Sequence, residues 1–237
     1  MTNAIPAVPA PSLCGMLLQI LIAPGAAFQA LRSRPTVLLP LLLLVICPLL
    51  LLYGYFHRAD MDWLQEQLLL TIEDPVQREM ARPFFNDVMI IQSSYTSTFL
   101  TCVFAFIGLG LYFHVLGKLL GLGLGLKHWF ALVGWSSLPT LLATLSGTAL
   151  LLSTPGSHLA LAQLDPWSLN QLVFHQASGT WVNLLNSVDL TALWKWALLL
   201  TGFHMWSGRG WTASALLVLP PAVLYYGGWV LLNIAAG

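Results

Sequence analysis

Long apolar runs dominate the chain and predict membrane-spanning helices. A helix needs about 20 residues to cross the hydrocarbon core of a bilayer. Five segments have this length and character, at about residues 36–56, 94–117, 130–153, 190–206 and 211–234. The fourth is the shortest, and it contains Lys195 within its apolar run. The pattern therefore predicts an all-α, polytopic membrane protein with five transmembrane helices.

A short apolar stripe precedes the first predicted span. Its members recur at helical spacing: Leu13, Met16, Leu17, Ile20 and Leu21. Such a stripe is typical of a short amphipathic helix lying on a membrane surface. We expect residues 1–35 to form a cytoplasmic segment that contains this interfacial helix. Residues 36–237 would then form the membrane domain.

Two longer connections, residues 57–93 and 154–189, join predicted spans on the side of the membrane opposite the N-terminal segment. The first carries seven acidic residues and three arginines among apolar positions. Its spacing predicts an amphipathic outer helix over about residues 59–82, broken near Pro75 and ended near Pro83. The second is nearly uncharged and carries Trp167 and Trp181, which favours a position at the membrane interface.

Composition strengthens the membrane assignment and excludes several classes of protein. Of the 237 residues, 57% are hydrophobic and 8% are charged, whereas a soluble domain carries about 25% charged residues. The formal net charge is zero, so the chain lacks the basic surface of a nucleic-acid-binding protein. We expect no nucleic-acid partner.

The motifs of membrane enzymes are absent from the sequence. There is no H-E-x-x-H or G-x-S-x-G pattern, and the six histidines are scattered without metal-ligand spacing. Gly121, Gly123 and Gly125 lack the pattern of a phosphate-binding loop and predict a turn between two antiparallel spans. We therefore expect no catalytic residues, no metal site and no cofactor.

The basic residues of the short loops indicate an orientation. With the N-terminus inside, the cytoplasmic side receives five basic residues and no acidic ones: Arg32, Arg34, Lys118, Lys127 and Arg209. The other side receives all nine acidic residues and Arg58, Arg78 and Arg82, with Lys195 just inside the fourth span, so the basic count is five against four. The positive-inside rule thus predicts a cytoplasmic N-terminus and an external C-terminus, and we expect a bacterial inner (cytoplasmic) membrane as the location.

Several of these basic side chains form a candidate lipid site. The members are His114, Lys118, Lys127, His128, His204 and Arg209. If their helices pack together, they form a basic pocket at the inner leaflet, which suits anionic lipid headgroups. The alternative is ordinary interfacial anchoring by side chains that reach towards the headgroups.

Lys195 is an intramembrane charge between Trp194 and Trp196. Such a charge is a candidate for function because its insertion costs about 2.5–3.5 kcal/mol. The alternative is a side chain that extends outward to the acidic surface. Asp189 becomes its electrostatic partner only if the fourth helix begins late.

Prolines and hydroxyl groups mark two further features of the spans. Pro139, Pro220 and Pro221 are hinge candidates, since transporters use broken helices at their binding sites, although membrane helices also tolerate structural prolines. Residues 93–101 carry seven hydroxyl groups. One face of this helix either lines a polar cavity or, as we prefer, marks close helix packing.

Three stretches resemble the Yip (Ypt/Rab-interacting protein) family of five-span membrane proteins. They are APGAAFQALRSRPTVLLP from residue 23, YFHVLGKLLGLGLGLKHWFALVGWSSLP over 112–139, and DLTALWKWALLLTGFHMWSG from residue 189. The chain differs from the eukaryotic branch in lacking a long acidic N-terminal region. The resemblance therefore implies a bacterial-type member.

Two functions remain open at this level. The first is a non-enzymatic scaffold or adaptor that organises partner proteins or lipids. Its partners would be membrane lipids, anionic ones among them, together with other membrane proteins or further copies of the chain. The second is an accessory subunit of a permease or exporter for a small or amphiphilic solute. That alternative predicts a water-accessible cavity lined by Tyr95, Thr98 and Thr101.

Overall fold

The computed structural model describes residues 13–72, 74–176 and 179–236, and within them the fold is helical. Residues 1–12 of the expected N-terminal segment, and Glu73 of the expected outer helix, lie outside the described residues. The described α-helices are α1 (Leu13–Ile22), α2 (Pro24–Ser33), α3 (Leu38–Phe56), α4 (Met61–Leu70), α5 (Pro75–Ala81), α6 (Asp87–Leu119), α7 (Leu126–Ser137), α8 (Thr140–Ser153), α9 (Val182–Ser187), α10 (Leu190–Ser207), α11 (Trp211–Val218) and α12 (Pro220–Ala236).

Side-chain caps explain where several of these helices begin. Asp60, Asp74, Asn86 and Asp189 each accept a hydrogen bond from a backbone N–H in the first turn of the helix that follows. Such caps satisfy backbone donors that have no partner inside the helix. At the other end of α6, Gly121 and Gly123 adopt left-handed backbone conformations with φ of 67° and 64°, which form the turn into α7.

Three helical units are long and apolar enough to cross a membrane: α3, α6 and the α7–α8 pair. A fourth crossing results if α11 and α12, which meet at a bend of 49°, form one broken span. The chain is thus a multi-pass membrane protein. The expected count of five spans is not confirmed, because α10 is not among these helices. With Lys195, His204 and three tryptophans in 18 residues, α10 is less apolar than a helix surrounded by lipid.

The boundaries of the expected outer connections also differ. Helix α6 begins at Asp87 rather than near residue 94, so the first connection is shorter than expected. The amphipathic segment within it consists of α4, α5 and a 3₁₀ turn, with the break just before Pro75. The second connection contains a 3₁₀ helix (Leu161–Leu164), a π-helical turn (Asn170–Phe174) and α9.

The outer face of α3 is apolar and exposed. Leu38, Leu42, Ile46, Leu50 and Tyr53 follow one another at three- or four-residue spacing and are at least 44% exposed. A soluble protein rarely exposes a continuous apolar stripe of this length. In a bilayer, the same stripe faces the acyl chains.

Two buried clusters hold the helices together, one towards each end of the bundle. We call the end that carries Arg32, Arg34, Lys118, Lys127 and Arg209 the basic end, and the opposite end, near α4 and α5, the acidic end. The cluster nearer the basic end is the larger and includes Phe28, Trp129 and Phe203; the other includes Tyr55, Leu64 and Leu151.

Helix α10 is the centre of the larger cluster. It packs against α2, α7, α8 and α11. Its Gly202 allows the rings and methyl groups of Phe28 and Leu132 to approach its backbone, and the indole N–H of Trp206 donates to the carbonyl oxygen of Phe28 at 2.9 Å. Protein therefore surrounds much of α10, which explains why its sequence does not have to be uniformly apolar.

Helix α1 is partly a core element. Met16 and Ile20 of the expected surface stripe are buried within the larger cluster, whereas Leu18 and Ile22 are exposed. The periodic stripe at residues 13–21 therefore packs against protein as well as offering an apolar face outward.

Aromatic side chains bind backbone carbonyls that have no helical donor. Thr36 lies just before α3, and its carbonyl oxygen accepts the indole N–H of Trp135 at 2.9 Å. A proline has no N–H, so within a helical segment the carbonyl four residues earlier loses its donor. The residue four positions before Pro221 is Leu217, and its carbonyl oxygen accepts a hydrogen bond from the hydroxyl of Tyr112 at 2.7 Å. These bonds connect helices that are far apart in sequence.

Candidate functional site

A cavity of about 510 Å³ lies between the two buried clusters. Its wall is formed by α3, α6, α7, α8, the first turns of α10 and the 3₁₀ helix at Leu161–Leu164. This volume is within the range of small-molecule binding sites, about 300–1,000 Å³. Phe106 and Val133 of the larger cluster and Leu52 and Leu164 of the smaller one contribute to the wall. The cavity is therefore continuous with both halves of the protein core.

Part of the hydroxyl-rich face of α6 lines this cavity. Thr98 and Thr101, one helical turn apart, lie in the wall. Neither side chain has a hydrogen-bond partner among the described residues, so both hydroxyls are free to bind an occupant. Tyr95 is elsewhere, with its ring centroid 6.0 Å from that of Phe56.

Helix α8 contributes hydroxyl groups from the opposite side. Thr140 and Thr144 line the cavity. The hydroxyl of Thr140 donates to the carbonyl oxygen of Ser137 at 2.7 Å, a common arrangement for hydroxyl side chains inside helices. Its oxygen retains the capacity to accept a further hydrogen bond.

Lys195 lies in the cavity wall, near the acidic end of α10. Its ammonium nitrogen is 5.3 Å from the ring centroid of Trp196, and no described ion pair includes it. The neighbouring Leu193 and Trp194 are exposed on the outer surface. Lys195 is thus a partly buried cation with no carboxylate at ion-pair distance among the described residues.

Asp189 also lines the cavity, but its carboxylate is already engaged. One oxygen accepts the backbone N–H of Ala192 at 2.7 Å and the hydroxyl of Thr191. The helix begins immediately after it, at Leu190, so Asp189 caps α10 instead of forming a direct ion pair with Lys195. The two charges nevertheless interact electrostatically.

Asp165 is a second carboxylate in the wall, and sequence reasoning did not single it out. It follows the 3₁₀ helix and accepts the backbone N–H of Trp167 at 3.2 Å. Burial, and then the negative charge of Asp189, raise the pKa of Asp165 to about 6. Two carboxylates and one ammonium therefore face the same cavity. An isolated aspartate in a nearly uncharged loop gives no sequence signal for this placement.

The segment over residues 161–169 closes the cavity on the acidic side, and we call it the cap. The carbonyl oxygen of Leu164 packs directly on the backbone of α8 at Gly147, where any side chain would collide with it. The indole N–H of Trp167 donates to the hydroxyl of Ser146 at 2.8 Å, and an isolated antiparallel bridge joins Ser168 to Asp189. The cap is thus attached to both α8 and the start of α10.

The six predicted lipid-site residues all lie towards the basic end, but they do not form one described cavity. Three are exposed: Lys118, Lys127 and Arg209. Of the six, only Lys127 lines either of the two cavities described. It lines the second cavity, of about 500 Å³, which is also bounded by Pro35 and Phe130.

Two of the three histidines of this set, His128 and His204, pack against aromatic side chains. Nδ1 of His204 lies 2.6 Å from the carbonyl oxygen of Arg209, and its ring stacks on Trp211 at 4.0 Å. His128 meets the edge of Trp206 at 6.2 Å. Nδ1 of His114 and of His128 is buried without a hydrogen-bond partner among the described residues.

The predicted hinge residues lie where helices are interrupted. Pro139 stands between α7 and α8, and Pro220 and Pro221 open α12 at the 49° bend after α11. Each interruption matches the loss of backbone hydrogen bonds that proline imposes.

Ion pairs and stacked rings organise the acidic end. Arg82 binds Glu66 at 2.5 Å and Glu79 at 3.3 Å. His158 stacks on Trp63 at 5.0 Å and lies 3.3 Å from the carboxylate of Asp60. A hydrogen bond from the backbone of Trp63, followed by one from His158, lowers the pKa of Asp60. The His158 contacts attach α4 to the chain that leads into the cap, and the ion pair of Arg82 with Glu66 joins α4 to the turn after α5.

Comparison with known proteins gives one match. No curated protein and no solved structure matches the chain. The family model of the Yip1 domain matches residues 18–232, a range that includes α2 through α11, the cap and every wall residue of the cavity. The chain therefore belongs to the Yip1 domain family.

Proposed function

We propose that this Yip1 domain protein is a non-enzymatic membrane protein that organises lipids or partner proteins, and that its central cavity binds an amphiphilic molecule. The cavity is the observation that carries the proposal. Its wall combines leucine, phenylalanine and valine side chains with free hydroxyls and three charged groups. Pockets of mixed character fix a ligand through a few polar contacts and bury the rest against apolar side chains.

An adaptor role is supported by the contrast between the two ends of the bundle. The acidic end offers α4 and α5 with their acidic side chains, and the basic end offers exposed Lys118, Lys127 and Arg209. Surfaces of opposite sign favour different partners through electrostatic complementarity. The basic end suits anionic headgroups of a cytoplasmic leaflet, which supports a bacterial inner membrane with the N-terminus inside.

A second candidate function is that of an accessory subunit of a permease or exporter for a small or amphiphilic solute. The position of Thr98 and Thr101 in the cavity wall favours it, as do the interruptions at Pro139 and Pro220. Purification in a gentle detergent followed by mass spectrometry separates the two candidates. A stoichiometric transporter subunit supports the accessory role, whereas other stoichiometric membrane proteins support the adaptor role.

The cavity itself offers a native reporter of occupancy, since Cys102 lies in its wall. In a Cys14→Ser, Cys47→Ser variant, Cys102 is the single thiol. We expect an apolar maleimide to react with it in detergent, and an equimolar mixture of phosphatidylcholine, phosphatidylethanolamine and phosphatidylglycerol to slow the reaction. The control is Ser33→Cys in a cysteine-free background, because Ser33 is exposed at the end of α2.

The two possible outcomes differ clearly. Protection of Cys102, with no change at position 33, supports an amphiphile in the cavity. Equal labelling rates of Cys102 with and without lipid contradict the proposal.

A further inference from the structure

The charges in the cavity wall define what its occupant has to match. The wall contains one ammonium, on Lys195, and two carboxylates, on Asp165 and Asp189. Asp189 interacts electrostatically with both of the others. A charged group inside a low-dielectric core is costly unless an opposite charge accompanies it. The arrangement therefore favours an occupant that carries charges of both signs.

The ammonium of Lys195 is the group that needs an anion. It has no carboxylate at ion-pair distance among the described residues, and its nearest aromatic contact is Trp196 at 5.3 Å. Asp189 cannot move to it without giving up the N-cap of α10. An occupant that presents an anionic oxygen to Lys195 supplies the missing charge-assisted hydrogen bond.

The carboxylates need a cation with N–H donors. Asp165 receives one backbone hydrogen bond, which leaves most of its acceptor capacity free. Burial, and then the negative charge of Asp189, raise its pKa to about 6, and the backbone hydrogen bond from Trp167 opposes this shift only in part. A primary ammonium satisfies these acceptors, whereas a trimethylammonium group has no N–H to donate.

The remainder of the cavity is suited to hydrocarbon. Towards the larger cluster the wall becomes apolar, with Leu44, Phe106, Leu109 and Val133. The charged groups lie on the opposite side, at the cap and the start of α10. An occupant therefore places its polar part towards the acidic end and its apolar part towards the centre of the bundle.

We propose that the cavity binds the head group and the adjoining part of the acyl chains of a zwitterionic aminophospholipid of the phosphatidylethanolamine type, with its phosphate on Lys195 and its primary ammonium on Asp165 and Asp189. This inference rests on the proposed function, in which the cavity binds an amphiphile. A purely anionic lipid would bring a negative charge towards two carboxylates, and a choline lipid would leave those carboxylates without donors. The charge pattern thus selects the head group.

The test is a competition in native mass spectrometry. The full chain in detergent is offered equimolar dioleoyl phosphatidylethanolamine, phosphatidylglycerol and phosphatidylcholine. We expect phosphatidylethanolamine to be retained about tenfold more than either competitor, the ratio that one charge-assisted hydrogen bond provides. Lys195→Gln should lower its retention, and Asp165→Asn should reduce the preference for phosphatidylethanolamine over phosphatidylcholine.

The matched control is Lys118→Gln, which removes a lysine that is exposed at the basic end and should leave the preference unchanged. Both cavity variants remove a charge from the core, and thermal unfolding checks that they fold. If either fails to fold, the wild-type competition alone decides the matter.

The outcomes distinguish this inference from the proposed function. Equal retention of the three lipids, or preference for phosphatidylglycerol, overturns the head-group assignment, while protection of Cys102 would still support an amphiphile. Retention of no lipid together with an unprotected Cys102 overturns both. Soluble glycerophosphoethanolamine shows whether the head group alone is recognised. If it displaces the lipid at equal concentration, the protein binds the zwitterion as a free solute. If it does not, the acyl chains are part of recognition.

Discussion

At the scale of single residues, aromatic donors to unpaired backbone carbonyls explain two long-range contacts. The Tyr112 hydroxyl binds the Leu217 carbonyl oxygen that Pro221 leaves without a helical donor. The indole N–H of Trp135 binds the carbonyl oxygen of Thr36, which lies just before the start of α3. In each case a side chain of another helix satisfies a backbone group that lipid cannot satisfy. These bonds fix α11 against α6 and the start of α3 against α7.

We expect Tyr112→Phe to destabilise the protein by about 1–3 kcal/mol, because the Leu217 carbonyl is left unpaired. Tyr112→Phe should destabilise a Pro221→Ala variant less, because the alanine supplies a backbone N–H for the Leu217 carbonyl. Thermal unfolding in detergent measures both. An equal cost in the two backgrounds would show that the hydroxyl does not serve the freed carbonyl.

Asp165 gives the cavity a pH-dependent stability. Its pKa is raised from the ordinary 3.8 to about 6 by burial and by Asp189, so the folded state holds its proton more tightly than the unfolded state. The ionised carboxylate therefore costs stability above about pH 6, and that cost falls as the pH drops through 6.

We expect Asp165→Asn to raise the melting temperature at pH 8 and to have a smaller effect at pH 5. Comparing the variant with the wild type at each pH cancels the titration of other groups. A melting-temperature difference that is the same at pH 8 and pH 5 would contradict the buried position of this carboxyl group.

At the scale of elements, the cap and α8 fit together through one glycine. Gly147 has no side chain, and the Leu164 carbonyl oxygen occupies the space where a Cβ would be. Because Leu161, Leu164 and Asp165 line the cavity, the position of the cap sets the size of its opening.

Gly147→Ala should displace the cap and raise the labelling rate of Cys102 in the single-thiol variant. The control is Gly227→Ala in α12, where an added Cβ meets nothing within 4 Å. If Cys102 is labelled at the same rate in the Gly147→Ala variant as in the Gly227→Ala control, the cap does not close the cavity.

Elements differ in how far the sequence predicts them. The apolar runs of α3 and α6 and the break before Pro75 follow from periodicity and from proline, which act locally. The position of α10 at the centre of the larger cluster does not follow from the sequence. A central helix packed by protein and a helix facing lipid have similar sequences, each an apolar segment with a few polar residues. The cap was unpredictable for a further reason: its contacts with Ser146, Gly147 and Asp189 are non-local. Lys195 was recognised from the sequence as unusual, but its neighbour in the cavity, Asp165, was not.

At the scale of the whole molecule, charge and hydrophobicity together indicate how the protein sits in a membrane. The exposed stripe on α3 faces lipid, the basic end suits the cytoplasmic side by the positive-inside rule, and the described acidic residues lie towards the other end. If α10 and the bent α11–α12 pair both cross the membrane, the chain crosses five times and the termini lie on opposite sides.

A reporter fused to each terminus tests this topology. We expect a fluorescent protein, which matures in the cytoplasm, to be active at the N-terminus, and a phosphatase that requires an oxidising compartment to be active at the C-terminus. Phosphatase activity at neither terminus would mean an even number of crossings, so that either α10 or the α11–α12 pair does not span the membrane.

The central claim is that the cavity between α3, α6, α8 and α10 holds an amphiphile, and filling it tests this claim most directly. Thr144→Phe places a ring in the cavity from α8, and Leu50→Phe, on the exposed stripe of α3, is the matched control. Native mass spectra of the proteins purified in gentle detergent report the lipid that accompanies each. We predict bound lipid on the wild type and on Leu50→Phe, and its loss from a folded Thr144→Phe protein. Unchanged lipid on all three proteins, or no lipid on the wild type, would contradict the claim.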